Sequence, residues 1–410
     1  GTKVVFGSGR YILKQSYGDA IKSAINHNNV KDLILQGDET ELISLEPFAG
    51  IFMFRNTDGL TIDGFKIGYE TAPWAQGTVE SVDLAESSFI YSVIPEYDIL
   101  NSEKFVSLSN SFGMVMEPDG PPGILKSNAP NYFRVNEIIE IGKHRYKMIM
   151  PPNNAKDFIG KGLLAEGDRV VYNNRGNTNS PFDVRGCNNV TIKNCTITES
   201  GGSVIIGSYM SGDMVVDNVK AVPGPGRWVM SNADGVHIQS LRGALHITNC
   251  VFDGLADDLI HLYEIPGAAQ AVDGNILTMV HGSMPVYPGD TIMVYDPIRG
   301  VLRGKSKVTA VDIADSKTKK LTLEEEIKGI VTGTNPAVTD GVYVLEGLFP
   351  GSVIKNNEFK NSRRFGGQFK VVDTIIEDNL FQNLFAPALI FPQTMSIGEH
   401  GPFSSNVTIR

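Results

Sequence analysis

The sequence predicts an all-β fold: a right-handed parallel β-helix solenoid that carries two inserted small β-barrels. Three observations predict it. A short strand-Asn-strand phrase keeps returning, successive copies lie one supersecondary unit apart, and two long stretches interrupt the series. The phrase reads Val190-Thr191-Ile192-Lys193-Asn194-Cys195-Thr196-Ile197, then Met214-Val215-Val216-Asp217-Asn218-Val219, then Leu245-His246-Ile247-Thr248-Asn249-Cys250-Val251-Phe252. It returns as Val353-Ile354-Lys355-Asn356-Asn357-Glu358-Phe359, as Ile375-Ile376-Glu377-Asp378-Asn379-Leu380-Phe381, and as Val407-Thr408-Ile409-Arg410.

Each complete copy is a short alternating strand, a polar Asn corner and a second short strand. Asn suits the corner because it tolerates left-handed backbone and can bond its own main chain. The copies are 24 residues apart from Asn194 to Asn218 and 22 apart from Asn357 to Asn379, too short for βαβ units. Coils of a β-helix fit this spacing, each bonded to the next at about 4.8 Å with apolar residues stacked inside. An antiparallel sandwich also has short strands and turns, but its connections would not keep restoring one phrase. Val4 to Phe6, Leu33 to Leu35 and Leu60-Thr61-Ile62-Asp63-Gly64 read as earlier, more degenerate coils.

The interruptions set the domain plan: coils over residues 1–77, an inserted barrel over 78–171, central coils over 172–266, a second barrel over 267–349, and last coils over 350–410. Loops of such length without their own structure are improbable in a compact domain. Related fragments mark both interruptions, Gly167-Asp168-Arg169-Val170-Val171-Tyr172 and Gly289-Asp290-Thr291-Ile292-Met293-Val294-Tyr295.

Composition narrows the function. The 410 residues are 41% hydrophobic and 20% charged, which supports a buried core and excludes wholesale disorder. A net charge of -10, with no concentrated basic field in the sequence, argues against a nucleic-acid or anionic-membrane partner. No run of about 18 apolar residues is present to span a bilayer. Three cysteines, Cys187, Cys195 and Cys250, are too few and wrongly spaced for a metal site or disulfide framework, and Cys195 and Cys250 read as small buried fillers. The chain begins at Gly1 rather than Met and stops at Arg410 inside a strand phrase, as a trimmed product of a longer protein would.

The candidate chemistry lies around the third complete copy. Asp234 stands in Asn232-Ala233-Asp234-Gly235-Val236-His237, and Asp257-Asp258 in Gly254-Leu255-Ala256-Asp257-Asp258-Leu259-Ile260-His261. The separations are 23 and 24 residues, one coil, so the three carboxylates are expected on neighbouring coils of one face. Like charges so close cannot all ionise freely, and one carboxyl is expected to keep its proton. A protonated acid beside an ionised base is what glycosidic cleavage requires. Calcium binding is the rival, since hard cations also gather carboxylate oxygens. Asp58-Gly59 and Asp63-Gly64 read as plain turns. Trp228, in a Pro-Gly-rich loop ahead of Asp234, is a candidate sugar platform.

Thr61-Ile62-Asp63-Gly64, Ile67-Gly68-Tyr69, Pro73-Trp74-Ala75-Gln76-Gly77-Thr78-Val79, Asp234-Gly235-Val236-His237, Arg242-Gly243, Asp257-Asp258, Arg363-Arg364-Phe365-Gly366 and Glu399-His400-Gly401 occur in an order and spacing with a family resemblance. The chain resembles glycoside hydrolase family 110, inverting exo-acting α-1,3-galactosidases built on a right-handed parallel β-helix with β-barrel insertions. The resemblance implies a general acid at Asp257, with Asp234 and Asp258 holding and deprotonating the attacking water. It implies an acid–base separation of about 6.5 to 9.5 Å. His237 and His261, three or four residues from the carboxylates, are expected to orient them or bind sugar hydroxyls, or else to be structural histidines at turns. Arg363, Arg364 and Glu399 fall on later coils, where they would line the same groove and bind hydroxyls through charge-assisted bonds, or cap coil edges as surface ions. No redox cofactor and no obligatory metal are expected. The family commonly has Asp-Ala-Thr-His where this chain has Asp234-Gly235-Val236-His237, and Ala with Asn-Val-His where this chain continues Leu259-Ile260-His261. These departures border the expected sugar pocket. The Asp spacing is also similar to that of the α-1,3-glucanase family 87, which shares the fold.

The expected partner is a galactose-containing oligosaccharide or polysaccharide, and the expected location is secreted or periplasmic. The inserted barrels are candidate surfaces for a homodimer. A polysaccharide lyase needs a Lys or Arg base, and only Arg242 lies between Asp234 and Asp258. A non-catalytic carbohydrate-binding β-helix would have no need of the carboxylates.

Overall fold

The computed structural model describes residues 1–14, 23–100, 105, 108, 110–120, 123–175, 179–280, 285–315, 317–335, 337–392 and 401–410. Parallel ladders stack the chain into one 22-stranded solenoid from Thr2 to Ile409. Along one wall, Leu35 pairs with Ile62, Ile62 with Ile192, Ile192 with Val216, and Val216 with Ile247. The column continues through Ile354 and Ile376 to Ile409. Every second residue of each copy therefore falls on the same inward column, because strand side chains alternate faces. All of these except Ile409 are buried, and a fully buried aliphatic side chain contributes about 1.5–3 kcal/mol. The parallel β-helix expected from the phrase is the fold observed.

The corners explain the Asn. Asn194, Asn218, Asn249, Asn356 and Asp378 all have left-handed backbone, with φ between 50° and 57°. In the later copies the left-handed corner is Asn356 or Asp378, one residue before the Asn357 and Asn379 used to measure the spacing. Those following residues point inward, where the earlier copies hold Cys195 and Cys250, both buried and unbridged as expected.

The first interruption is a six-stranded antiparallel sheet, and here the sequence expectation of a barrel needs correction. From one edge to the other run Glu137–Gly142, Arg145–Ile149, Ser88–Val93, Trp74–Asp83, Arg169–Asn173 and Phe112–Met116, and among the described residues the two edge strands do not pair. The helix Pro152–Phe158 supplies the physical reason. Its Ala155 and Phe158 share the core of the insertion with Phe133, so one face of the open sheet is covered by packing with the helix. The second interruption is a barrel as expected. Gly267–Asp273, Ile276–Val280, Thr318–Leu323, Val301–Ile313, Thr291–Asp296 and Gly341–Val344 close into a ring around Leu277, Ile292, Val294 and Leu321.

Neither insertion disturbs the solenoid register. Phe52 pairs directly with Phe182 across the first, and Leu262 with Phe369 across the second. The barrel is tied back through Arg242, whose guanidinium grips the buried Asp290 carboxylate. Among the described residues no helix is long and apolar enough to cross a membrane.

Candidate active site

The site lies on the coil wall built from Ile205–Asp217, Val236–Arg242, Ile260–Tyr263 and Gly367–Phe369. Val236 pairs with Ile260, so the turns that precede these strands are aligned and Asp234 meets Asp258. Main-chain bonds lock the alignment: Gly235 N donates to Asp258 O at 2.9 Å, and Asp258 N donates to Asp234 Oδ1 at 3.0 Å. Ile260 pairs in turn with Gly367, which sets the Arg363-Arg364-Phe365 turn one coil further along, although 107 residues separate the sequences. Strand alternation then places Val236, Ile238, Ile260 and Leu262 inside and His237, His261 and Gln368 in an outward column.

The one-coil spacing does bring the three acids together. Asp234, Asp257 and Asp258 are all at least 95% buried, and each offers an oxygen within 4.8 Å of the others. Their nearest oxygens thus approach closely. The cause is the ladder itself, which stacks equivalent turn residues at the close spacing of adjacent strands.

Their environments differ sharply. Burial opposes charge on Asp234, but His237 Nδ1 donates to its Oδ2 at 2.6 Å. The charges of His237, His261 and Arg175 add to this hydrogen bond and hold the carboxyl well below the usual carboxylate range. Asp258 goes the other way. Burial, reinforced by the charges of Asp234 and Asp257, pushes its pKa up to about 8. Its Oδ1 accepts from Phe365 N at 3.2 Å, whereas its buried Oδ2 has no hydrogen-bond partner among the described residues and lies 3.8 Å from His261 Nδ1. Asp257 is enclosed by guanidiniums: Arg175 Nη1 reaches Oδ2 at 2.5 Å, and Arg363 and Arg364 each reach Oδ1 at 3.1 Å.

Of the other expected residues, His237 and His261 stand edge to face at 5.1 Å, and both adjoin the carboxylates. His237 Nε2 meets the Tyr263 hydroxyl at 3.0 Å, and Gln368 Nε2 lies 2.7 Å from His261 Nε2. Arg363 and Arg364 arrive as expected. Trp228 does not line the cavity beside Asp257. It is half-buried against the cluster that holds Trp74, Tyr97 and Met114, and the Arg169 guanidinium lies over its ring at 5.5 Å. Glu399 lies outside the described residues. Arg242 is engaged by Asp290 and offers no lyase base.

Sequence reasoning missed Arg175, Arg134, Tyr263 and Gln368. Period-two alternation from His261 marks Tyr263, two residues on along the same face. No sequence signal marks the two arginines: Arg175 follows the insertion's last strand, and Arg134 belongs to the insertion itself. With Arg363, Arg364 and Asp257 they line a cavity of about 320 Å³, so the basic concentration not visible along the sequence exists in space.

Two groupings could draw in a cation: the three carboxylates, or Asp234 with His237 and His261. Both ring nitrogens of His237 and both oxygens of Asp257 are already engaged, so a calcium or transition ion would have to displace those partners.

No protein-family model matches the chain. Among curated proteins it is 23% identical over 430 residues to the α-1,3-galactosidase B of Bacteroides thetaiotaomicron, covering 95% of this chain and 66% of that protein. It is 21% identical over 309 residues to the α-1,3-galactosidase A of Shewanella woodyi, covering 68% of this chain and 49% of the relative. The α-1,3-galactosidase A of Peterkaempfera griseoplana is 28% identical over 252 residues, covering 54% and 33% respectively. The chain thus spans about half the length of the Shewanella relative. Among solved structures, a Yersinia enterocolitica Family 28 exopolygalacturonase overlaps 99% of this chain and 72% of its own, with a TM-score of 0.14 at 10% identity. That likeness is too slight to bear on the fold, which the parallel ladders establish directly.

Proposed function

We propose that the chain is a glycoside hydrolase of the α-galactosidase type, acting on a terminal α-linked sugar. One observation carries the reading: two buried carboxyls stacked one coil apart are driven to opposite protonation states, Asp258 up and Asp234 down. A neutral carboxylic acid can protonate a leaving glycosidic oxygen, and an ionised partner can activate water or stabilise the developing oxocarbenium charge. The names of the distant relatives supply the α-1,3-galactoside as the substrate to try first.

In this proposal Asp258 donates the proton, not Asp257 as the family resemblance implies. Both Asp257 oxygens are held by guanidiniums, and donation from there would require breaking those ion pairs. Asp234 is the base, oriented by His237, which Tyr263 positions from behind. Inversion rests on the resemblance.

The test is hydrolysis of aryl α- and β-galactosides and α-1,3-linked disaccharides, with the product anomer followed by NMR. Hydrolysis of the α-linked substrates with loss of activity in Asp258→Asn and Asp234→Asn is the expected result. Activity that survives Asp258→Asn unchanged would overturn the donor assignment, and release of an unsaturated sugar would make the protein a lyase.

A further inference from the structure

Four arginines, Arg134, Arg175, Arg363 and Arg364, line the cavity beside Asp257, and that Asp is the one carboxylate among its lining residues. The cavity volume of about 320 Å³ lies in the range of small-ligand sites. The whole chain carries a net charge of -10, so this positive concentration is local and opposes the general balance. Asp258 lies 3.5 Å from Arg364 Nε, and neither it nor Asp234 is among the residues that line the cavity.

The guanidiniums are held in place. Arg363 lies 4.7 Å over the Phe112 ring and 5.5 Å over Tyr132, while Arg175 and Arg134 stack on the same two rings at 5.9 and 5.4 Å. Arg134 Nη1 donates to Ser111 O at 2.8 Å, and Arg363 Nε donates to Ala256 O. Arg363 is only 6% exposed, and burial, with the charges of Arg175 and Arg364, weakens its hold on its proton against the pull of Asp257. Both rings belong to the first insertion and the paired arginines 363 and 364 to the solenoid, so docking of the insertion creates the cluster.

We infer that this cavity seats an oxyanion carried by the substrate, a carboxylate or a sulfate ester on the sugar that lies against Asp257. The inference deepens the hydrolase reading and rests on it for the nature of the ligand. Planar guanidinium forks match either group through paired charge-assisted hydrogen bonds. An oxyanion entering the cavity would meet four guanidinium forks beside a single lining carboxylate, whereas a neutral sugar would offer them only hydroxyls.

The test is calorimetric binding of galactose, galacturonate and a monosulfated galactose to the whole protein at low and high salt, with hydrolysis of the matching aryl α-glycosides measured in parallel. At least one charged sugar is expected to bind about tenfold or more tightly than galactose, with the advantage shrinking in high salt. Preference for galacturonate identifies a carboxylate, and preference for the sulfated sugar a sulfate ester. Arg134→Gln and Arg175→Gln should each erode the preference with an unchanged circular dichroism spectrum. Equal binding of all three sugars, tighter binding of galactose, or no binding of any would overturn the inference. Hydrolysis of the neutral galactoside without charge preference would overturn it while sparing the hydrolase reading. Charge-dependent binding without hydrolysis of any glycoside would do the reverse.

Discussion

Asn357 and Asp258 are both almost inaccessible polar residues, each stacked on a counterpart from a neighbouring coil, yet they meet opposite fates. The Asn357 amide donates to Ile247 O at 2.9 Å and Asn379 Oδ1 at 2.8 Å, and its oxygen accepts from Cys250 N at 2.9 Å. Asp258 faces Asp234, another group that only accepts when ionised, and among the described residues its Oδ2 is left without a hydrogen bond. An amide carries donors and acceptor together, so a repeat can stack it indefinitely. Carboxylates stacked by the same period repel, and relief comes from a proton, a cation or a guanidinium. Asp258 takes the first of these and Asp257 the last. The same ladder geometry thus stabilises the corner and charges the site.

The largest effect that would break this comparison is on catalysis. Asp258→Asn is expected to lower kcat/KM for an aryl α-galactoside by about 10²–10⁴-fold, the usual contribution of a general acid. Wild-type activity should fall as pH rises through about 8, where Asp258 loses its proton. A rate still climbing above that pH would contradict the assignment.

On the structural side, Asn357→Ala strips partners from Ile247 O and Cys250 N in the core. Equilibrium denaturation should report a loss of about 1–3 kcal/mol. Sharpening the contrast, Asp258→Asn should stabilise the protein where Asn357→Ala destabilises it. As pH rises from near 3.8 toward 8, the unfolded chain gives up a proton that folded Asp258 keeps. The folded state then binds more protons, so wild-type stability falls with rising pH in that window. The Asn variant escapes this, and its Tm advantage should grow toward pH 8 and vanish near pH 4. The smallest effect belongs to the exposed corner: Asn218→Gly keeps the left-handed backbone, and its stability should change by no more than about 0.5 kcal/mol.

The solenoid was legible because its determinants are local and periodic. Alternation gave the inward columns, Asn gave the corners, and counting 23 and 24 residues brought Asp234 to Asp257 and Asp258. What the period does not encode was lost. The core of the open first insertion joins Phe133 to Phe158, separated in sequence and met only on packing. The arginine cluster is drawn from positions 134, 175, 363 and 364, across two domains, and no window along the chain contains it. The opposite protonation of Asp234 and Asp258 was foreseeable in kind, since crowded acids must divide their protons. Which one keeps its proton depended on where His237 points.

The central claim is that Asp258 holds a proton at neutral pH while Asp234, one coil away, does not. Carboxyl-carbon NMR titration of aspartate-labelled protein, with the signal assigned by its disappearance in Asp258→Asn, tests it without reference to any substrate. A midpoint near 8 for Asp258, with Asp234 already ionised at the acid end of the titration, is the predicted result. A midpoint for Asp258 in the ordinary carboxylate range near 4 would contradict the account.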